Sequence, residues 1–248
     1  MGGVPVEGVI PIYKPPGRSS AQYVYRLRPI LGERRIGHAG TLDPFADGVL
    51  VACVGRATRL VERLMDLPKT YRAVITLGVT SATLDPESAL EPVAGAVDPG
   101  RAAIERALAG MIGEIEQAPP LYSAVKIGGQ PAYRLARRAA RLGRPADAPP
   151  TLPARRVRID EIHVLAYAWP TVEVTIRCGR GTYIRSIARD LGTATGCGGI
   201  CTRLTRTAVG PFGLDAAVRI DGSTPEQVRG ALHPMAAVLA CLGPPAGD

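Results

Sequence analysis

Apolar and polar positions alternate along this chain in two rhythms, one of period two and one near 3.6. Gly8 to Tyr13 is a short apolar run, stopped by Lys14-Pro15-Pro16-Gly17, and reads as a strand. Ser19 or Ser20 can cap a helix running to about Leu31. Arg34 to Gly48 is glycine-rich and polar, a loop by composition, and Gly48 to Gly55 is a continuous apolar run that predicts a buried strand. Tyr71, Ala73, Ile75 and Leu77 share one face of an alternating strand. Asp98-Pro99 predicts a helix through about Ile112, with aspartate as N-cap and proline at the first position. Val157 to Val164, Val172 to Ile176 and Ile200 to Val209 read as further strands. Ile184, Ile187, Ala188 and Leu191 form a helical stripe, and Thr224-Pro225-Glu226-Gln227 has the form of a capping box. Strands and helices mix without a βαβ rhythm, which predicts an α+β fold rather than a doubly wound sheet.

Between the prolines of Glu116 to Pro150 the pattern changes. Arg134, Arg137, Arg138 and Arg141 fall at i, i+3, i+4 and i+7, one face of a helix, with Leu135, Ala136, Ala139 and Leu142 largely opposite. Four like charges on one face repel each other and persist more easily when an anion neutralises them. A solvated surface helix is the competing reading.

Composition narrows the class. The 248 residues carry 30 basic and 22 acidic side chains, a net charge of +8. That balance favours a polyanionic partner, nucleic acid before membrane surface, although mild basicity is also common in ordinary soluble proteins. Only Lys14, Lys69 and Lys126 are lysines, so the positive charge is almost all arginine, whose planar fork suits phosphate. No apolar run approaches the length of a membrane span, and no secretory leader is expected. Cys53, Cys178, Cys197, Cys201 and Cys241 are scattered without the spacing of a zinc site, which predicts free, mostly buried thiols in a reducing cytoplasm.

One segment carries candidate chemistry: Gly37-His38-Ala39-Gly40-Thr41-Leu42-Asp43-Pro44, continued by Phe45-Ala46-Asp47-Gly48. Glycines let a backbone approach a ligand, and Pro44 keeps Asp43 out of a helix. A carboxylate on such a loop can serve as nucleophile or base, or it can cap its own turn. The tetrapeptide recurs as Thr83-Leu84-Asp85-Pro86, following a strand and leading into Glu87-Ser88. This acidic setting is poor for nucleic acid, while the first copy follows the basic residues Arg34 and Arg35, but the bare tetrapeptide does not choose between the two.

At this loop the sequence resembles the TruB family of tRNA pseudouridine synthases. Lys14-Pro15-Pro16-Gly17-Arg18-Ser19-Ser20 is similar to the family's KPxGxSS, and Gly37 to Pro44 to its GHxGTLDP. Gly55-Arg56-Ala57-Thr58-Arg59, Lys69-Thr70-Tyr71, Leu121 to Lys126, Gly181 to Arg185, Leu204 to Thr207 and Gly210-Pro211-Phe212 follow in family order. The resemblance covers roughly residues 8 to 215.

The resemblance implies a pseudouridine synthase fold, a mixed and mainly antiparallel sheet flanked by helices, with residues 8–215 as the catalytic domain. It implies isomerisation of uridine in the T loop of tRNA, at position 55, with no metal or organic cofactor. Asp43 matches the nucleophile, while Asp85 matches a structural position and is expected to cap a turn; Tyr71 matches the tyrosine that stacks on the target base, and Arg185 the arginine that pairs with the carboxylate. Leu204 matches an apolar wall of the pocket, His38 a histidine near the space left by the flipped nucleotide, and Lys14 is placed with the substrate-binding residues. Without the resemblance Tyr71 reads as core and Arg185 as a surface residue. The segment 117–148 falls where bacterial members carry an insertion that grips the tRNA T arm, which turns the Arg134, Arg137, Arg138 and Arg141 face toward phosphate. It also implies an enzyme needing no guide RNA and no protein partner. Residues 216–248 form a short tail, too short for the PUA-type domain common in the family. A cytoplasmic monomer is expected. Two rivals remain at this point: a non-catalytic tRNA-binding or tRNA-folding protein on the same scaffold, and an aspartate-dependent glycosidic hydrolase. The second would want paired carboxylates, and only Asp47 is near Asp43.

Overall fold

A computed structural model describes residues 6–123, 125–141 and 152–243 of the chain. In order the elements are β1 (Gly8–Lys14), α1 (Ser20–Val24), α2 (Leu27–Leu31), β2 (Ile36–His38), β3 (Asp47–Val54), a 3-10 turn (Gly55–Leu60), α3 (Val61–Asp66) and β4 (Lys69–Leu77). Then follow β5 (Val79–Thr80), β6 (Glu91–Pro92), α4 (Arg101–Ala109), β7 (Gly113–Gln117), β8 (Lys126–Ile127), β9 (Gln130–Pro131) and α5 (Ala132–Arg141). The last are β10 (Arg155–Ala168), β11 (Thr171–Cys178), α6 (Ile184–Ala194), β12 (Gly199–Val209), β13 (Phe212–Gly213), α7 (Pro225–Gly230) and α8 (Met235–Leu242). The fold is α+β with mainly antiparallel pairing, and the chain divides into two compact units, Met1–Arg72 with Leu204–Asp248, and Ala73–Arg203.

In the first unit β3 is the central strand. It pairs antiparallel with all of β1, from Gly8↔Val54 to Lys14↔Gly48, and with β2 near its C-terminal end. At its N-terminal end it pairs parallel with β12, Thr205 opposite Asp47 and Arg206 opposite Gly48. Alternate residues of β1 and β3 enter two different cores. Ile10, Ile12, Leu50 and Ala52 pack with Tyr23, Leu27, Leu31 and Val228. Val9, Val49, Val51 and Cys53 pack with Leu60, Leu64, Phe212 and Val238. A strand buried on both faces needs apolar residues at every position, which is why Gly48 to Gly55 shows no alternation.

The predicted helix from Ser19 to Leu31 is instead two short helices. Pro29 has no N–H to donate, so it is tolerated only in a first turn, and the chain restarts as α2 at Leu27. The C-terminal segment is part of this unit rather than a loose tail. Val9 and His233 exchange backbone hydrogen bonds of 2.9 and 2.8 Å, and Val218 bonds Pro11 and Tyr13. Thr224 and Gln227 form the expected capping box of α7.

In the second unit the long strands β10 and β11 pair antiparallel from Ile159↔Cys178 to Ala168↔Thr171, and β7 pairs with the start of β10. Strand order is β12-β4-β11-β10-β7. Ala73, Ile75, Leu77, Val172, Val174 and Ile176 are all buried, as are Ile104 and Leu108 of α4 and Ile187 and Leu191 of α6. Asp98 does not cap α4 as predicted. Its carboxylate accepts from Gly100 N at 2.7 Å, and Gly100, at φ +76°, is the residue that opens the helix. The basic segment lies in this unit as a small β8–β9 hairpin followed by α5, packed through Ala132 on Val125 and Leu152.

Candidate active site

The glycine-rich stretch before β3 is a loop whose backbone is tied down at nearly every residue. Ala39 N donates to Val51 O at 2.9 Å. Ser20 Oγ donates to Leu42 O and accepts from Leu42 N, both at 2.8 Å. This division of labour follows from the pair Ser19-Ser20: Ser19 makes a capping box with Gln22, leaving Ser20 to hold the loop. Gly17 N donates to Pro44 O at 2.7 Å, and Ala46 N to Asp43 O at 3.2 Å.

Two buried cations complete the scaffold. Lys14 has no exposed surface, and its Nζ donates to Ala46 O at 2.7 Å, Pro44 O at 3.3 Å and Pro15 O at 3.0 Å. Arg206 donates to Val49 O at 2.7 Å and to Thr41 O and Gly40 O at 3.2 Å each. Carbonyls on both sides of Asp43 are thus turned toward cations, and Asp43 is half-buried between them. Sequence reading placed Lys14 with the substrate and gave Arg206 no role. A buried charge in a strand has no local signature, because its partners lie about thirty and 160 residues away.

Tyr71 on β4 and Leu204 on β12 belong to the same unit and are buried. Thr207 Oγ1 donates to Thr70 O at 3.2 Å, so β4 is the neighbour of β12, as β12 is of β3. Tyr71, Leu204 and the end of the Asp43 loop therefore sit on three successive strands. Lys69, also buried, donates to Met65 O and to Leu67 O, fixing the turn into β4.

Arg185 lies in the second unit. It is not a surface residue: only 2% of it is exposed, at the start of α6 where residues 184–188 are all buried. Its guanidinium donates to Thr83 O at 2.7 Å and Tyr122 O at 2.9 Å, and lies 3.3 Å from Asp85 Oδ2. Asp85 Oδ1 accepts from Glu87 N at 2.9 Å, the expected turn cap, but the ion pair with Arg185 was not legible in the sequence.

Residues 28–184 match the model of the TruB family pseudouridylate synthase N-terminal domain. The chain belongs to the TruB family. It is 44% identical over 223 residues to a tRNA pseudouridine synthase B of Mycobacterium sp. (strain KMS), covering 88% of this chain and 72% of that protein. It is 39% identical over 247 residues to a tRNA pseudouridine synthase B of Bordetella avium (strain 197N), covering 99% and 96%. Among solved structures it is similar to one in a crystal structure of a Cbf5-Nop10-Gar1 complex, with a TM-score of 0.69 and 29% identity over 94% of this chain and 62% of the other.

In this TruB-family chain the loop's electrostatics follow from burial. Burial first, and the charge of Arg206 second, hold the His38 imidazole below its usual proton affinity, while the Gly40 backbone works weakly the other way. Tyr13 donates to Asp47 Oδ2 at 2.9 Å, and burial with that neighbouring carboxylate pushes the phenol up. Asp47 is thereby engaged with Tyr13 at the mouth of β3. Of the four arginines on α5, Arg134 and Arg138 are exposed, while the side chains of Arg137 and Arg141 lie outside the described residues, as do residues 142–151. Cys53, Cys178, Cys197 and Cys201 are buried and Cys241 is exposed, and burial pushes the Cys53 thiol up to about 12. Among the described residues no helix is long and apolar enough to cross a membrane.

Proposed function

We propose that this protein isomerises uridine to pseudouridine in tRNA, at the T-loop uridine of position 55. The observation that carries the reading is the intact Asp43 loop in a chain 39–44% identical to proteins named tRNA pseudouridine synthase B. The reaction breaks the bond from ribose C1′ to uracil N1 and forms one from C1′ to C5. The C5 proton leaves and N1 gains one, so the formula is unchanged and no redox cofactor is called for.

A uridine within a folded RNA loop must first leave its stack, at a cost of a few kcal/mol. The ring of Tyr71 offsets roughly 1–3 kcal/mol of this by stacking. Asp43 is the nucleophile, Arg185 the arginine assigned to its carboxylate, Leu204 an apolar wall, and His38 a histidine near the space left by the flipped nucleotide. Lys14 we assign to the loop scaffold, since its Nζ donates to the carbonyls of Pro15, Pro44 and Ala46. The Arg134, Arg137, Arg138 and Arg141 face grips phosphates of the T arm. The protein acts as a cytoplasmic monomer, without guide RNA.

The test is incubation of the purified chain with unmodified tRNA transcript and no other macromolecule. Pseudouridine is then mapped by chemical adduct formation and primer extension. An adduct-dependent stop one nucleotide 3′ to position 55 is expected. Binding without any modified base would support a tRNA-folding protein instead.

A further inference from the structure

Among the described residues Arg206 has the largest side chain with almost no exposure, 1%. A guanidinium moved out of water costs several kcal/mol unless its donors are met. Here the partners are not carboxylates but three backbone carbonyls, of Gly40, Thr41 and Val49. Those carbonyls bracket Asp43. Gly40 and Thr41 lie just before it, and Val49 lies just after the loop has entered β3. The backbone of Arg206 is itself fixed, in parallel register with Gly48.

That register depends on Gly48, whose φ is +111° and where a Cβ would stand 2.2 Å from Arg206 O. One residue therefore closes both ends of the loop, through its guanidinium at one end and through its own backbone at the other. Lys14 and Ser20 hold the middle. Leu204, two residues earlier, is on the same buried face of β12 as Arg206. The planar fork matters, because it puts a separate nitrogen on each carbonyl, Nε on Val49 O, Nη1 on Thr41 O and Nη2 on Gly40 O, where an ammonium offers one nitrogen.

We propose that Arg206 is a positioning residue for the reaction: through the carbonyls of Gly40, Thr41 and Val49 it fixes the backbone from which Asp43 acts. The proposal rests on Asp43 being the nucleophile. It follows that losing the fork moves Asp43 off line while leaving the RNA-binding surface intact. A displacement near 1 Å in such a group costs about a hundredfold in rate.

Single-turnover pseudouridine formation on tRNA transcript would be measured for the wild type, Arg206→Ala and Arg206→Lys, with folding followed by circular dichroism. The folded Ala variant is expected to lose about a hundredfold in kcat with KM within about threefold. Free guanidinium ion at millimolar concentration should restore part of its rate, and should not restore Asp43→Ala. The Lys variant keeps a buried charge and should stay slow; it also decides the matter if the Ala variant does not fold. A folded Ala or Lys variant within about threefold of wild-type kcat, or a defect confined to KM, would overturn the proposal. An inactive wild type would sink the reading on which it rests, and shows itself before any variant is compared.

Discussion

Thr-Leu-Asp-Pro occurs twice in this chain, and the two copies fold inside out relative to each other. In Thr41 to Pro44 the leucine is the buried residue, 2% exposed, and the aspartate is half-buried. In Thr83 to Pro86 the aspartate is buried, 1% exposed, and Leu84 is half-buried with φ +60°. The difference comes from what distant chain supplies. Around the first copy Lys14, Ser20 and Arg206 bind main-chain groups, holding the loop by its backbone. Around the second copy Arg185 reaches the carboxylate of Asp85 itself, and Ser81 and Thr83 bind its carbonyl at 2.8 and 3.1 Å. One loop is anchored through its main chain. The other is anchored by its aspartate.

The largest contrast is in activity. Asp43→Asn should give no detectable pseudouridine, with tRNA affinity within about tenfold, or about 1.4 kcal/mol. Its stability should stay within about 1 kcal/mol of wild type, since the side chain is only half-buried and the change keeps its shape. Asp85→Asn should retain measurable turnover. Robust activity of the Asp43→Asn enzyme would reverse the roles assigned to the two copies.

Stability should show the opposite order. Asp85→Ala removes a buried carboxylate 3.3 Å from the buried Arg185 guanidinium, and breaking such a pair typically costs about 3–5 kcal/mol. Urea unfolding would measure it. A loss below about 1 kcal/mol would mean the carbonyls of Thr83 and Tyr122 suffice for Arg185.

The same contrast shows what a sequence can reveal. Strands and most helices were legible because burial of one face or two leaves a period. Gly48 to Gly55, Tyr71 to Leu77 and the α6 stripe are all found where the pattern put them. The short strand Ile36–His38 was not, since one isoleucine and a glycine carry no period. The Asp43 loop stood out by its glycines, with a turn cap as the alternative, whereas Tyr71 and Arg185 stood out only through the resemblance to a family, because singly they read as core and surface. Lys14, Arg206 and the Asp85–Arg185 pair illustrate the limit. Each is a charged side chain whose burial is decided by partners 30 to 166 residues away. Local pattern assigns such residues to solvent.

The leucines give a smaller effect. Leu42→Ala empties a buried site and should cost about 2–5 kcal/mol. Leu84 sits in the left-handed region, which a non-glycine residue enters at roughly 1–2 kcal/mol. Asparagine tolerates that conformation, so Leu84→Asn should leave stability unchanged or raise it by up to about 1 kcal/mol. Thermal unfolding of the two variants together would show whether the copies differ in this way. Equal losses would contradict it.

The smallest expected effect separates the copies by pH. His38 precedes the first tetrapeptide, and no histidine accompanies the second. Burial and the charge of Arg206 lower the His38 proton affinity in the folded protein. In the unfolded chain the imidazole binds a proton near the ordinary value of about 6.5. Above that pH both states are neutral, and His38 adds no pH dependence. As pH falls through it, the unfolded state takes up a proton that the folded state refuses, so stability falls with acidification. The slope from this one group cannot exceed about 1.4 kcal/mol per pH unit, and it flattens once pH drops below the folded value. His38→Gln removes the titration while keeping a polar side chain. Between about pH 5 and 6.5 its unfolding free energy should therefore depend less steeply on pH than the wild type's. Parallel curves would show that His38 takes up its proton equally well in both states, and that Arg206 does not govern its charge.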